Sequence, residues 1–224
     1  MADSRLSVRK PSSIGIIGDS NCRYLISSFQ RLGIFDVYTH SAGTNSHKLA
    51  DTLISHIQDL QRLDPEWICL HTGHNDVAFH TDKNRHPLTP FEAARSIVSL
   101  VIACSNFFPR SMIIVSGLIP RINTSVHDVE FTINYNNYNK LARQTNTCIV
   151  QVLGSWINDR KVRAIMLCPH EDFYGVPGGL IGRPDLYQVD GIHLNTRGRD
   201  LLVEHIINYI CLYKQQKAGY YACC

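Results

Sequence analysis

Ile14-Gly15-Ile16-Ile17-Gly18-Asp19-Ser20 is a short apolar run that ends on Gly-Asp-Ser. Its first four residues read as a buried strand. Directly behind it, Cys22, Leu25, Ile26, Phe29 and Leu32 recur at offsets of three and four, which is one face of a helix. A strand feeding straight into a helix is the first half of a βαβ unit, and the rest of the chain repeats that rhythm.

A second strand is expected ahead of Ser41. Leu49, Leu53, Ile57 and Leu60 mark a second helix. Trp67 to Leu70 reads as a strand opened by Asp64-Pro65, and Phe91, Ala94, Val98, Val101 and Ile102 mark a third helix. Met112 to Val115 reads as a strand, and a helix is expected from Ile133 to Gln144. Cys148 to Val152 reads as a fifth strand, with a short helix near Asn158 to Met166. Leu201, Leu202, Ile206, Tyr209 and Ile210 mark the last helix. Alternating strands and helices imply an α/β protein with a mostly parallel sheet, and near-continuous apolar strands imply helices on both faces. Gly154 to Val189 is the one long stretch that is rich in Gly and Pro and only weakly periodic. Such segments in compact domains are often functional.

The bulk numbers fit this reading. The 224 residues suit one domain, and 44% hydrophobic with 18% charged residues is ordinary for a globular chain with a sizeable core. A formal charge of +3 is too mild to imply a nucleic-acid partner. The basic clusters Arg5 to Lys10 and Arg160-Lys161-Val162-Arg163 are the only stretches that would support one. Met1 to Ser13 is polar with no apolar core, so no signal peptide is seen, and no apolar run reaches the roughly 18 residues of a membrane span. Several of the eight cysteines sit inside apolar helix or strand patterns, as buried free thiols do. Together these features predict an intracellular protein.

Four short blocks carry chemistry. Gly18-Asp19-Ser20 places a serine at the carboxyl end of a strand and the start of a helix, where backbone N–H groups face any developing oxyanion. Ser41-Ala42-Gly43-Thr44-Asn45 contains a glycine able to aim a bare backbone N–H at a ligand. Gly73-His74-Asn75-Asp76 follows a strand and offers an Asn amide donor. Asp190-Gly191-Ile192-His193 sets an acid and an imidazole three apart, so that Asp190 can orient His193 to take a proton from a serine. Each block alone reads equally as a helix cap or a turn. Together they are coherent. In a sheet of order 2-1-3-4-5 the ligand crevice opens between the carboxyl ends of strands 1 and 3, which puts Ser20 and Asn75 on its two lips.

The four blocks, in this order, resemble the SGNH or GDSL-type hydrolase superfamily, from Ile14 to about Tyr213. The resemblance implies a three-layer α/β/α sandwich with a mostly parallel five-stranded, flavodoxin-like sheet. It implies Ser20 as nucleophile, His193 as base and Asp190 as its acid. The implied oxyanion donors are Ser20, Gly43 and Asn75. No cofactor is implied. Gly-Asp-Ser-Asn-Cys lacks the Leu that often follows the family's Ser. The implied division is a flexible segment 1–13, an esterase domain 14–213 and a tail 214–224. More narrowly, Gly-Asp-Ser-Asn and the Val189 to Gly198 segment resemble esterase domains in first-open-reading-frame proteins of animal LINE retrotransposons.

The expected substrate is a small-molecule or lipid ester. The loop His80 to Thr89 and the segment Gly154 to Val189 are expected to shape its pocket. Phe173, Tyr174 and Tyr187 either line that pocket or pin the long segment to the domain. His71 and His74 have a His-x-x-His spacing, but no third ligand is placed, so no metal is expected. The alternative function is a module of the same fold that binds lipid, sugar or nucleic acid with little catalysis. Retention of all five site residues argues against it. The apolar last helix and Tyr220-Tyr221 would suit a homodimer, but core packing explains the helix equally well.

Overall fold

The order strand, tight turn, helix repeats along the chain. A computed structural model describes residues 13–34, 36–41, 46–78, 86–122, 135–160 and 164–221. Strand β1 (Ser13–Gly18) leads through a 3-10 turn (Ser20–Tyr24) into helix α1 (Ile26–Arg31). There follow β2 (Asp36–Ser41), α2 (Ser46–Leu63), β3 (Trp67–His71), α3 (Pro90–Phe107) and β4 (Met112–Ser116). The chain continues with α4 (Tyr135–Arg160), β5 (Ala164–Cys168) and α5 (Thr196–Tyr221). The five strands form one sheet of order β2-β1-β3-β4-β5 with every pairing parallel. The last helix thus carries on beyond residue 213, through Tyr221.

Alternation along the strands divides the core in two. Ile17, Ile68, Leu70, Ile113 and Val115 face α2, α3 and α4. Ile14, Ile16, Trp67, Cys69 and Ile114 face α1 and α5. This is the three-layer sandwich expected. Helix α3 starts sharply because Thr89 Oγ1 accepts the Glu92 N–H, Glu92 returns a carboxylate to the Thr89 N–H, and Pro90 occupies the first turn. Cys22, Cys69 and Cys104 are buried and form no disulfide. Among the described residues no helix is long and apolar enough to cross a membrane.

The expected strand at Cys148 to Val152 is instead part of α4. Tyr138, Ala142, Thr145, Ile149 and Leu153 are buried along one face, spaced four, three, four and four apart, while Val150 is 37% exposed. A five-residue apolar run cannot by itself distinguish strand from helix, and burial on one helical face decides it. The fifth strand is Ala164–Cys168; it takes the end of the short helix expected near Asn158 to Met166, while Asn158 to Arg160 are the last turn of α4. One extra residue on β5 between its pairings to Ile114 and Ser116 makes a bulge at the carboxyl edge of the sheet.

Candidate active site

Ser20 stands at the carboxyl end of β1 because the chain turns there without room to spare. A Cβ on Gly18 would sit 1.9 Å from the His71 carbonyl oxygen on β3, so only glycine lets the two backbones close. Asp19 N–H then donates to that same oxygen at 3.1 Å. The Asp19 carboxylate caps the following 3-10 turn by accepting the Asn21 N–H at 3.0 Å. Ser41 Oγ donates to the Asp19 carbonyl at 2.7 Å, tying β2 to the same corner. Ser20 is left half-buried as the first residue of the turn.

The 190–195 loop is built around Asp190. Gly191 takes φ +67°, and the Asp190 Oδ1 accepts the N–H groups of both Ile192 and His193 at 2.9 Å. Its other oxygen lies 2.6 Å from His193 Nδ1, and His193 Nε2 lies 2.8 Å from Ser20 Oγ. Partial burial works to raise the Asp190 pKa. The bonds from the His193 ring, the His193 N–H and the Ile192 N–H outweigh it and hold the carboxyl below its usual range. Ser20, His193 and Asp190 therefore form one hydrogen-bonded row, with a carboxylate at one end and a serine hydroxyl at the other.

Asn21 holds the two loops in register. Its Oδ1 accepts the Leu194 N–H at 3.0 Å and its Nδ2 reaches the Ile192 carbonyl at 3.5 Å. The sequence motif includes this side chain but does not reveal its role, because its partners lie 173 and 171 residues away. Asn195 caps α5 by accepting the Gly198 N–H and donating to the carbonyls of Asp185 and Tyr187.

Asn75 is half-buried in the turn after β3, on the strand next to β1. Gly43 and the loop 79–85 lie outside the described residues. Phe173, Tyr174 and Tyr187 are buried, with Tyr187 Oη bonded to the Pro120 carbonyl and the Arg143 guanidinium 3.8 Å from the Tyr174 ring centroid. They pin the long segment to the domain.

Beneath Ser20 is a buried row of imidazoles that the sequence does not announce. His74 Nδ1 lies 2.5 Å from Asp19 Oδ2, and His74 Nε2 accepts the Ile119 N–H at 3.1 Å. Burial pushes Asp19 upward, but His74, then His71 and the Asn21 N–H, hold its carboxyl far below the carboxylate range. His71 Nδ1 meets Ser116 Oγ at 2.8 Å, and Ser116 Oγ meets His170 Nε2 at 2.7 Å. The bulge on β5 lies beside this contact. His170 Nδ1 is 3.2 Å from His205 Nδ1, and His205 Nε2 reaches the Asp172 carboxylate at 3.0 Å.

Asp172 can only accept, so His205 donates to it from Nε2. Ser116 Oγ lies between His71 Nδ1 and His170 Nε2 and gives its one hydroxyl proton to one of the two rings. Burial holds His71 down to about 3 and His170 well below its ordinary value, which keeps both rings neutral.

Asp19, His71 and His74 also bring three possible metal ligands within 4.8 Å of one another, so Asp19 supplies the third ligand that the His-x-x-His spacing lacked. The hydrogen bonds fit a metal poorly. Ligation through His74 Nδ1 would move its proton to Nε2, against the Ile119 N–H that Nε2 now accepts.

No family model matches the chain, and no curated protein resembles it in sequence. Solved structures do share its fold. A carbohydrate esterase family 3 protein from Talaromyces cellulolyticus aligns with TM-score 0.57 at 17% identity, covering 91% of this chain and 98% of that one. A lipase/acylhydrolase from Enterococcus faecalis aligns with TM-score 0.56 at 16% identity, covering 89% and 95%. A carbohydrate acetylesterase from Sinorhizobium meliloti aligns with TM-score 0.54 at 18% identity, covering 90% and 99%. The chain has the α/β/α fold of these esterases and acylhydrolases.

Proposed function

We propose that this chain is a serine esterase of the SGNH type. The observation that carries the reading is the row Asp190–His193–Ser20, with contacts of 2.6 and 2.8 Å ending on a half-buried hydroxyl at the carboxyl edge of the sheet. His193 takes the Ser20 proton as Oγ attacks the ester carbonyl carbon, and Asp190 supports the resulting imidazolium. The Ser20 and Gly43 N–H groups and the Asn75 amide receive the tetrahedral oxyanion. His193 returns the proton to the departing alcohol, and water releases the acyl group by the same route.

A short acyl group, acetyl above all, is the proposed substrate part. The likeness to carbohydrate esterases and acetylesterases supports it. An origin in a LINE retrotransposon protein rests on the Val189 to Gly198 resemblance. Hydrolysis of para-nitrophenyl acetate against longer acyl esters, with wild type and Ser20→Ala side by side, tests the activity. Turnover that disappears in a folded Ser20→Ala protein is the expected result. Equal inertness of both across the panel overturns the reading.

A further inference from the structure

The triad opens onto a cavity of about 410 Å³ lined by Ser20, Arg23, Tyr24, Gln188, His193 and Arg199. Two of these six residues are guanidinium cations and none is a carboxylate. The nearby Asp190 is engaged with His193. Arg199 is held in place by neutral acceptors, with Nη1 on the Leu194 carbonyl at 2.8 Å and Nη2 on Thr196 Oγ1 at 3.1 Å. Its Nε is buried and has no hydrogen-bond partner among the described residues. Its guanidinium lies 5.6 Å from the ring centroid of Tyr24, which is itself 52% exposed. Arg23 is exposed on the turn that begins with Ser20 and has no ion pair among the described residues. Elsewhere on the surface, Arg31, Arg110, Arg143, Arg183 and Arg197 each meet a carboxylate.

A concave site bearing cations of one sign concentrates anions. Guanidinium is the side chain best matched to carboxylate and phosphate oxygens. Ser20 and His193 both line the cavity, and His193 must hand its proton to the departing oxygen, so the alcohol bonded to that oxygen has room to extend toward Arg23 and Arg199. We infer that the ester this site takes carries an anionic oxyacid group, a carboxylate or a phosphate, on its alcohol portion. Arg23 and Arg199 recognise that group, and the Tyr24 ring packs on the body that joins it to the ester. The inference rests on the esterase reading of Ser20. The reaction is plain hydrolysis. The acyl–oxygen bond breaks as the acyl carbon bonds to Ser20 Oγ, the proton from Ser20 passes through His193 to the anionic alcohol, and water then frees the acid.

The test compares acetyl esters that differ in one substituent: para-acetoxybenzoate, para-acetoxyphenyl phosphate and the neutral para-acetoxybenzamide. The ratio of kcat/KM for each anionic ester to that for the amide is read in wild type, Arg23→Gln, Arg23→Glu and the remote control Arg110→Glu. A charge-assisted bond predicts a preference of about tenfold for at least one anion. That preference should shrink in Arg23→Gln, invert in Arg23→Glu, weaken with added salt and persist in Arg110→Glu. The better of the two anions identifies the oxyacid. Ester hydrolysis that depends on Ser20 but shows no anion preference overturns this inference and leaves the esterase reading standing. If wild type hydrolyses none of the three, the esterase reading is what fails for them. Binding of para-hydroxybenzoate and of para-hydroxyphenyl phosphate, each against para-hydroxybenzamide, to Ser20→Ala, followed by NMR shifts, then decides the inference. Selective binding of either anion that Arg23→Glu removes supports it, and equal or absent binding of both overturns it.

Discussion

His74 Nδ1 lies 2.5 Å from Asp19 Oδ2, so the residue before Ser20 is locked to the residue before Asn75 deep under the crevice. The contact couples the loop after β1 to the loop after β3. It also compensates a carboxylate that is almost fully removed from water. His74→Ala should leave that carboxylate unpaired and the Ile119 N–H without its acceptor, at a cost of about 3–5 kcal/mol. If pairing is the cause, the cost is much smaller in an Asp19→Asn background, where no charge is stranded. Urea unfolding of the four proteins of the cycle measures this. An equal cost in both backgrounds would show that His74 acts through packing alone.

The first four strands and the Asp190-x-x-His193 pair were legible in the sequence because they are local. A strand shows as a run, and an acid three residues from an imidazole needs only one turn to meet it. Ser20 was legible only in company with the other three blocks, because a Gly-Asp-Ser after a strand reads by itself equally as a helix cap. What escaped depends on partners distant in sequence. Ser116, His170 and His205 come together from β4, the segment after β5, and α5, so as single letters they look like filler. Cys148 to Val152 was misread because β-branched residues favour strands, whereas its environment is a helix with Ile149 and Leu153 buried and Val150 outward. The real edge strand, Ala164–Cys168, carries the same kind of apolar run.

Two glycine-to-alanine changes should act with opposite sign. In Gly18→Ala the new methyl would meet the His71 carbonyl oxygen at 1.9 Å and Cys22 Sγ at 2.6 Å. Relief requires β1 and β3 to separate where Asp19 N–H bonds across, so a loss of about 3 kcal/mol or more is expected. Gly154 lies in α4 and an added Cβ there meets nothing within 4 Å. Gly154→Ala should therefore stabilise by up to about 1 kcal/mol through helix propensity. Urea midpoints at unchanged slope check both.

Asp190→Asn separates geometry from chemistry. The Asn Oδ1 can still accept the Ile192 and His193 N–H groups, so the loop should keep its shape and stability should change by about 1 kcal/mol or less. The Asn Nδ2, however, presents a donor to His193 Nδ1. The ring must then carry its proton on Nε2, facing Ser20, where it cannot accept one. Turnover of an acetyl ester should fall by about 10⁴, the size of the corresponding change in a serine protease triad. A fall of less than about tenfold would mean that Asp190 does not set the ring's tautomer.

Asn75→Ala should lower kcat by about 10²–10³ with little change in KM, as expected for one lost oxyanion donor. Steady-state kinetics on para-nitrophenyl acetate measures the split. A rise in KM at constant kcat would instead place Asn75 in ground-state binding.

The imidazole row predicts an early acid transition. Burial first, and the neighbouring imidazoles second, hold His71 down to about 3 and His170 well below the ordinary histidine value of 6.5. An unfolded histidine takes up a proton below about 6.5, while these two stay neutral in the folded chain. The unfolded state therefore binds more protons between pH 6.5 and about 3, and stability is lost as the pH falls through that window. Each fully titrating ring contributes a slope of about 1.4 kcal/mol per pH unit, so the pair contributes about 2.7. Asp19 adds to the loss only below its unfolded value of 3.8, which leaves the window above pH 4.5 to the histidines among these groups. Urea unfolding from pH 4.5 to 6 should show this slope, and His170→Phe should reduce it by about half. The variant loses a partner for Ser116 and is expected to be less stable at every pH, so the slope carries the answer rather than the midpoint. An unchanged slope in His170→Phe would mean that His170 is protonated in the folded chain.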